Sequence, residues 1–97
     1  PSAFSAPMIN IHPSLLPKYK GLHAIEQAFN SDDDVTGCTV HYVNEELDGG
    51  EIILQSEVPI LPTDDLKSLT KAIQRREYHI LPRAIEHVKH KIQVKIN

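Results

Sequence analysis

Two polar side chains stand at alternate positions near the start of this 97-residue sequence, where an apolar segment runs into a proline-rich loop. Asn10 and His12 flank Ile11, and Pro13 follows. Met8, Ile9 and Ile11 predict a short buried strand, in which side chains two residues apart point to the same side. An amide can donate to an oxygen that gains negative charge, and an imidazole can exchange a proton near neutral pH. The pair is therefore suited to acyl or formyl transfer.

A carboxylate that could complete such a site lies in the loop 44–50. The segments before and after this loop, 35–43 and 51–60, alternate like half-buried strands and predict an antiparallel hairpin. Asp48 stands in the loop beside two glycines, which allow the backbone to turn sharply next to a ligand. A carboxylate near His12 would favour the imidazolium form of that side chain and keep a general acid charged.

The residues alone leave simpler interpretations open. Asn10 can be a turn residue at the end of a strand, and His12 a hydrogen-bonded surface histidine. Asp48 can accept a hydrogen bond from its own backbone in a turn.

The two segments together resemble a known enzyme family. The first is Asn-Ile-His-Pro-Ser-Leu-Leu-Pro-Lys-Tyr at 10–19, and the second is His-Tyr-Val-Asn-Glu-Glu-Leu-Asp-Gly-Gly at 41–50. Both are similar to glycinamide ribonucleotide formyltransferases, the folate-dependent enzymes of purine synthesis, and the resemblance runs from Met8 to His90. It implies formyl transfer from 10-formyltetrahydrofolate to the amine of glycinamide ribonucleotide, with no metal ion.

The resemblance also implies roles for individual residues. Asn10 would hold the formyl oxygen as it becomes an oxyanion, and charged His12 would stabilise the intermediate and give a proton to the leaving folate nitrogen. Asp48 would set the charge and orientation of His12. The folate pocket would be lined by Asn10, Asn44, Glu45, Glu46, Leu47 and Asp48, and the ribonucleotide side by Gln74, Arg75, Arg76 and Glu77.

Two other functions stay open. Formyltetrahydrofolate hydrolases, transfer-RNA formyltransferases and sugar-nucleotide formyltransferases resemble the chain in the same arrangement of Asn, His and Asp. Pro13 and the run Asp48-Gly49-Gly50 favour the purine enzyme. A non-catalytic folate-binding fragment is the alternative from a different functional class.

Composition sets limits on partners and location. Ten basic and thirteen acidic residues give a net charge of -3, which provides no basic field for nucleic acid. No apolar run approaches the ~20 residues that a membrane-spanning helix needs. The single cysteine, Cys38, excludes an internal disulfide framework. We therefore expect a cytoplasmic protein that acts on small molecules, without nucleic acid or membrane partners.

The sequence begins at Pro1, and the resembled family is about twice as long. The resemblance therefore implies that residues 1–97 are a single domain, the catalytic C-terminal portion of a formyltransferase. The N-terminal nucleotide-binding-like half, with its phosphate loop, would be absent. That half, or a second copy of the chain, is the expected protein partner.

The predicted fold class is α/β, as in the C-terminal half of the formyltransferase fold. A strand at 8–11, whose neighbours would lie in the absent half, precedes an amphipathic helix over 22–30 and the hairpin. A long helix with Thr63 as its N-cap follows, kinked at Pro82 because proline lacks a backbone donor. Alternation of Ile92, Val94 and Ile96 with polar residues predicts a terminal strand over 91–97.

Several further residues carry specific expectations. Glu77 interrupts the apolar stripe of the long helix, and a buried carboxylate should have a polar partner. Tyr78 departs from the resembled family, which commonly has histidine at that position. Pro17 makes the Leu16-Pro17 bond a candidate cis peptide. The acidic run 32–34 is expected to be a solvated turn, and Cys38 a core residue.

Overall fold

A computed structural model describes the backbone of residues 7–96 and the side chains of residues 7–90. It contains three strands and two helices and confirms the α/β class. In chain order the elements are β1 (Ile9–His12), α1 (Ala24–Phe29), β2 (Val35–Tyr42), β3 (Ile52–Pro59) and α2 (Leu66–Ile96).

The three strands form one antiparallel sheet in the order β1-β2-β3. The predicted hairpin is confirmed, with Val40 opposite Leu54 and an irregularity in the register after Val40. The other edge of β2 pairs with β1, which places Asn10 opposite His41 and His12 opposite Thr39. The first strand was expected to pair only with strands outside this chain. That expectation is wrong, because β1 pairs with β2.

One face of the sheet packs against α2 and forms the apolar core. The helix contributes Leu69 and Ile73, which are fully buried, and the central strand contributes Cys38 and Val40. These residues recur at helical spacing on α2 and at every second position on β2, so each element presents one continuous apolar side. The predicted core position of Cys38 is confirmed.

The loop that follows β1 covers the opposite face of the sheet. The buried Thr39 hydroxyl accepts from Leu16 N at 3.1 Å and donates to the Ser14 carbonyl at 2.7 Å. Gln55 Nε2 donates to the same hydroxyl at 3.0 Å and to the Leu16 carbonyl at 2.9 Å. The Leu16-Pro17 bond in this loop is cis. The loop is thus attached to the sheet by polar contacts beside the end of β1.

Helix boundaries differ from the sequence-based ones. Helix α1 covers only Ala24–Phe29, because His23 has a left-handed backbone with φ of 61°. The long helix begins at Leu66 rather than just after Thr63. Asp65 caps it, since its Oδ1 accepts from Ser68 N at 2.8 Å while Ser68 Oγ accepts from Asp65 N at 3.0 Å. This reciprocal pair satisfies two backbone groups that a cap at Thr63 would leave unpaired.

The predicted terminal strand is wrong over residues 91–96, which continue α2; Asn97 lies outside the described residues. A strand needs a neighbour to pair with, whereas an existing helix gains one hydrogen bond for each residue added. Helix α2 also runs through Pro82, where the kink stays a prediction. Within the described part of the chain, neither helix is long and apolar enough to cross a membrane.

Candidate active site

His12 ends β1 as a buried residue, with its side chain 8% exposed. Its Nε2 lies 2.8 Å from the Tyr19 carbonyl oxygen. A carbonyl can only accept, so Nε2 carries the proton in this contact. Nδ1 then carries a proton only in the imidazolium form. The atom that faces Nδ1 is therefore the one that an N–H of the charged ring would meet.

That atom belongs to Asp48. Its Oδ2 lies 3.5 Å from Nδ1 of His12, and the Asp48 side chain is also only 8% exposed. The same oxygen accepts a hydrogen bond from Gly21 N at 2.7 Å. A lone pair on Nδ1 would face a carboxylate, whereas an N–H would be attracted to it. Asp48 thus faces the nitrogen that would carry the second proton of a charged His12.

The backbone around this pair adopts unusual conformations. Tyr19 and Asp48 have positive φ angles of 55° and 51°, and Gly21 has φ of 82°. Left-handed backbone is uncommon for residues other than glycine and is often found at functional sites. Here two of the residues with left-handed backbone supply the backbone groups of the site. The Tyr19 carbonyl contacts His12, and the Gly21 N–H donates to Asp48. The acidic run 32–34 also contacts this loop, since Asp33 accepts hydrogen bonds from Tyr19 Oη at 2.6 Å and from Lys18 Nζ at 2.9 Å.

A second buried histidine approaches Asp48 from another side. His41 lies on β2 opposite Asn10, with its side chain 4% exposed. Its Nδ1 lies 3.0 Å from the Tyr42 carbonyl, and its Nε2 lies 3.7 Å from Asp48 Oδ1. Asp48 therefore has one imidazole near each carboxylate oxygen.

An open cavity of about 330 Å³ adjoins these groups. Among the described residues, its lining consists of Asn10, His41, Val43, Asn44, Glu45, Glu46, Leu47 and Asp48. All six residues predicted for a folate pocket are in this set. The amide of Asn10, which is exposed, is thus available to a bound molecule, while His12 is not among the lining residues.

Comparisons with known proteins identify the family. Residues 2–85 match the family described as formyl transferase. The chain belongs to the formyl transferase family. It is 47% identical over 83 residues to the phosphoribosylglycinamide formyltransferase of Haemophilus influenzae, a match that covers 86% of this chain and 39% of that protein. It is 54% identical over 78 residues to the trifunctional purine biosynthetic protein adenosine-3 of Drosophila melanogaster, which covers 80% of this chain and 6% of that protein.

Solved structures of the family share the fold. The phosphoribosylglycinamide formyltransferase of Bacillus halodurans superimposes with a TM-score of 0.79 at 47% identity, over 92% of this chain and 44% of that one. The structure from Campylobacter jejuni gives a TM-score of 0.80 at 41% identity, over 84% of this chain and 43% of that one. The chain thus spans about two-fifths of the length of these bacterial formyl transferase family members.

The residues expected on the ribonucleotide side are not in the cavity lining. Gln74, Arg75 and Arg76 are exposed on α2, and Glu77 is half-buried. Arg76 instead lines a separate groove of about 300 Å³ between α2 and β3, with Leu54, Gln55, Ser56, His79, Ile80 and Arg83. Their role stays a prediction.

Glu77 is nonetheless electrostatically linked to the site. Burial raises the pKa of its carboxyl, and the charge of His12 partly opposes that rise. Among the described side chains, none forms a hydrogen bond or ion pair with Glu77. The polar partner expected for this carboxylate is therefore not a described residue of this chain.

Other candidate groups do not form catalytic sites. Burial raises the pKa of the Cys38 thiol to about 11, with the Glu77 charge adding to the effect, so this side chain is not a thiolate at neutral pH. Within the described residues, no three His, Cys, Asp or Glu side chains are grouped to hold a metal ion.

Sequence reasoning missed His41 as a site residue. The sequence places it in the predicted strand 35–43 and at the start of the resembled segment 41–50, without relating it to Asn10 and His12. Strand pairing provides the relation, since His41 is opposite Asn10 and therefore shares the face of Asn10 and His12. The available signals were the alternation of β2 and the place of His41 in the resembled segment 41–50, because the partner strand and its register could not be predicted.

Proposed function

We propose that the protein to which this chain belongs transfers a formyl group from 10-formyltetrahydrofolate to the amine of glycinamide ribonucleotide in purine biosynthesis. The observation that carries the proposal is the buried pair of His12 and Asp48 beside a cavity lined by Asn10. Acyl transfer needs a donor for the developing oxyanion and a charged group of fixed orientation near it. The three residues supply both.

Asn10 is the proposed donor to the formyl oxygen. Its amide belongs to the cavity lining, and its strand is held in register by β2. As the amine attacks the formyl carbon, the oxygen gains negative charge, which an amide N–H stabilises more strongly than it does the uncharged carbonyl.

His12 acts mainly through its positive charge. Its two ring nitrogens are engaged by the Tyr19 carbonyl and by Asp48, at 2.8 Å and 3.5 Å respectively. A buried imidazolium next to the cavity stabilises the oxyanion without direct contact. Direct donation of a proton to the leaving folate nitrogen requires that one nitrogen leave its present partner. The longer contact, from Nδ1, is the weaker of the two.

The two substrates are assigned to different parts of the chain. The loop 44–48 would bind the folate, because its residues form one wall of the cavity. Gln74, Arg75, Arg76 and Glu77 would contact the ribonucleotide, as the resemblance implied. Glu77 is the strongest of these four, since its half-buried carboxylate suits an amine of the substrate.

The test is an assay of what we call the grafted enzyme. In this protein the present chain replaces the matching segment of the Haemophilus influenzae formyltransferase, to which it is 47% identical. We expect it to formylate glycinamide ribonucleotide at a rate comparable to the unmodified H. influenzae protein.

Two results would contradict the proposal. If the grafted enzyme releases formate from formyltetrahydrofolate equally fast with and without the ribonucleotide, water is the acceptor and the chain belongs to a hydrolase. If the folded protein binds the folate without any turnover, the chain is a binding module. Folding is checked by comparing thermal unfolding with that of the unmodified relative.

A further inference from the structure

The His41 imidazole has a buried nitrogen without a partner. Nδ1 donates to the Tyr42 carbonyl at 3.0 Å, so Nε2 is the free nitrogen of the ring. It is one of two buried polar side-chain atoms in the described residues that form no hydrogen bond. Buried polar atoms are nearly always satisfied, so an exception calls for a physical explanation.

The group nearest to that nitrogen is Asp48. Its Oδ1 lies 3.7 Å from His41 Nε2, just beyond hydrogen-bond distance. The other oxygen, Oδ2, faces His12 at 3.5 Å. A small rotation of the carboxylate would bring Oδ1 into contact with His41. Catalytic hydrogen bonds are often longer in the free enzyme and tighten when substrate binds.

We propose that His41 is a positioning residue for Asp48. It holds Oδ1 from the β2 side, so that Oδ2 stays directed at Nδ1 of His12. Because Nδ1 of His41 is engaged by the Tyr42 carbonyl, only the imidazolium form presents an N–H to Asp48. The inference rests on the proposed formyl transfer.

Two substitutions separate this role from a structural one. In His41→Gln the amide nitrogen lies near the position of Nε2, so a donor to Asp48 is retained. In His41→Asn the shorter side chain places its amide near the position of Nδ1, so the contact with the Tyr42 carbonyl is retained and the donor to Asp48 is lost. A residue that only supports β2 would tolerate Asn better than Gln.

The experiment measures kcat and both KM values of these variants in the grafted enzyme. We expect His41→Asn to lower kcat on the order of 10- to 100-fold, as misplacement of a catalytic group does. His41→Gln should stay within about tenfold of the parent, because the donor is kept. Both KM values should change less than about threefold, because the proposed contact of His41 is with Asp48; a contact with folate in the cavity that His41 also lines would instead raise the KM for the folate. His87→Gln, an exposed change on α2, is the control.

A spectroscopic measurement complements the kinetics. In protein labelled with ¹⁵N-histidine, the His12 Nδ1 resonance reports its contact with Asp48. It should move in His41→Asn and return toward the parent position in His41→Gln.

Three outcomes would overturn the inference. The first is that His41→Asn has the same kcat as the parent. The second is that His41→Gln has a lower kcat than His41→Asn at equal thermal stability. The third is that the substitutions raise the KM for the folate and leave kcat unchanged. The last would make His41 a ligand contact. If His41→Asn does not fold, a folded His41→Gln that loses more than about 100-fold in kcat contradicts the inference by itself. An inactive parent would instead contradict the proposed function.

Discussion

Asp48 Oδ2 lies 3.5 Å from His12 Nδ1, and both side chains are 8% exposed. Two opposite charges at about 4 Å attract by about 4 kcal/mol at an effective dielectric constant of 20, against about 1 kcal/mol in water. Because both side chains are buried, this attraction fixes their relative orientation more strongly than it would at an exposed position. Because the Tyr19 carbonyl occupies Nε2 of His12, this contact is also the one that distinguishes the charged ring from the neutral one.

The attachment of the loop after β1 predicts a stability effect at Thr39. Thr39→Val removes the hydroxyl that accepts from Leu16 N and Gln55 Nε2 and donates to the Ser14 carbonyl. We expect the free energy of unfolding of the grafted enzyme to fall by about 1–3 kcal/mol, because buried partners are left unsatisfied. Denaturant titration measures it.

The control for this change is Thr70→Val, where an exposed hydroxyl on α2 donates to the Leu66 carbonyl. It should change the free energy of unfolding by less than about 0.5 kcal/mol. Equal effects at the two sites would mean that the Thr39 contacts contribute nothing specific.

Burial of Glu77 predicts a pH-dependent stability difference. Its pKa is raised above the ordinary value of 4.5 in the folded protein. The unfolded chain therefore loses this proton first as pH rises, and stability falls as pH rises through the folded pKa. Glu77→Gln should raise the thermal midpoint of the substrate-free grafted enzyme at pH 7, because glutamine has no charge whose burial opposes folding. Below about pH 4 the gain should vanish, because Glu77 is then protonated in both states.

Calorimetry at pH 7 and below about pH 4 measures the change in thermal midpoint, with Glu86→Gln as an exposed control on the same helix. A gain from Glu77→Gln that is the same at both pH values would show that burial of the charge is not its cause. A loss at pH 7 would mean that the carboxylate has a favourable partner in the complete protein.

The sequence predicted those parts of the fold that local pattern determines. Alternation gave β2 and β3 with their hairpin, and helical spacing of Leu69, Ile73 and Ile80 gave the buried side of α2. The candidate site could be proposed because Asn10 and His12 share one side of a predicted strand, and Asp48 lies in the hairpin loop of a second segment that resembles the same family.

What could not be predicted depends on contacts between distant residues. The pairing of β1 with β2 brings His41 to the site, and the left-handed Tyr19 brings its carbonyl to His12. The continuation of α2 through 91–96 was missed, because β-branched residues at alternate positions fit a strand only where a partner strand exists.

The chain by itself is predicted to be a poor catalyst. Reaction requires both substrates within about 3.5 Å of each other, which needs firm anchoring of the ribonucleotide phosphate. The chain has no glycine-rich helix start for a phosphate, Lys18 is engaged by Asp33, and Arg76 lines the other groove. We expect the isolated 97 residues to turn over far more slowly than the grafted enzyme. A steady-state assay that gives equal kcat/KM for both would place the phosphate site within these residues.

The most direct test of the account is the turnover of Asp48→Asn in the grafted enzyme. Asparagine keeps the shape of the side chain and removes its charge, so substrate binding should survive. We predict that kcat for formyl transfer falls at least about 100-fold, while binding of a folate analogue, measured by fluorescence, changes less than about threefold. Turnover within a few-fold of the parent, in a variant that folds normally, would contradict the account, because the buried contact between Asp48 and His12 would then have no part in the reaction.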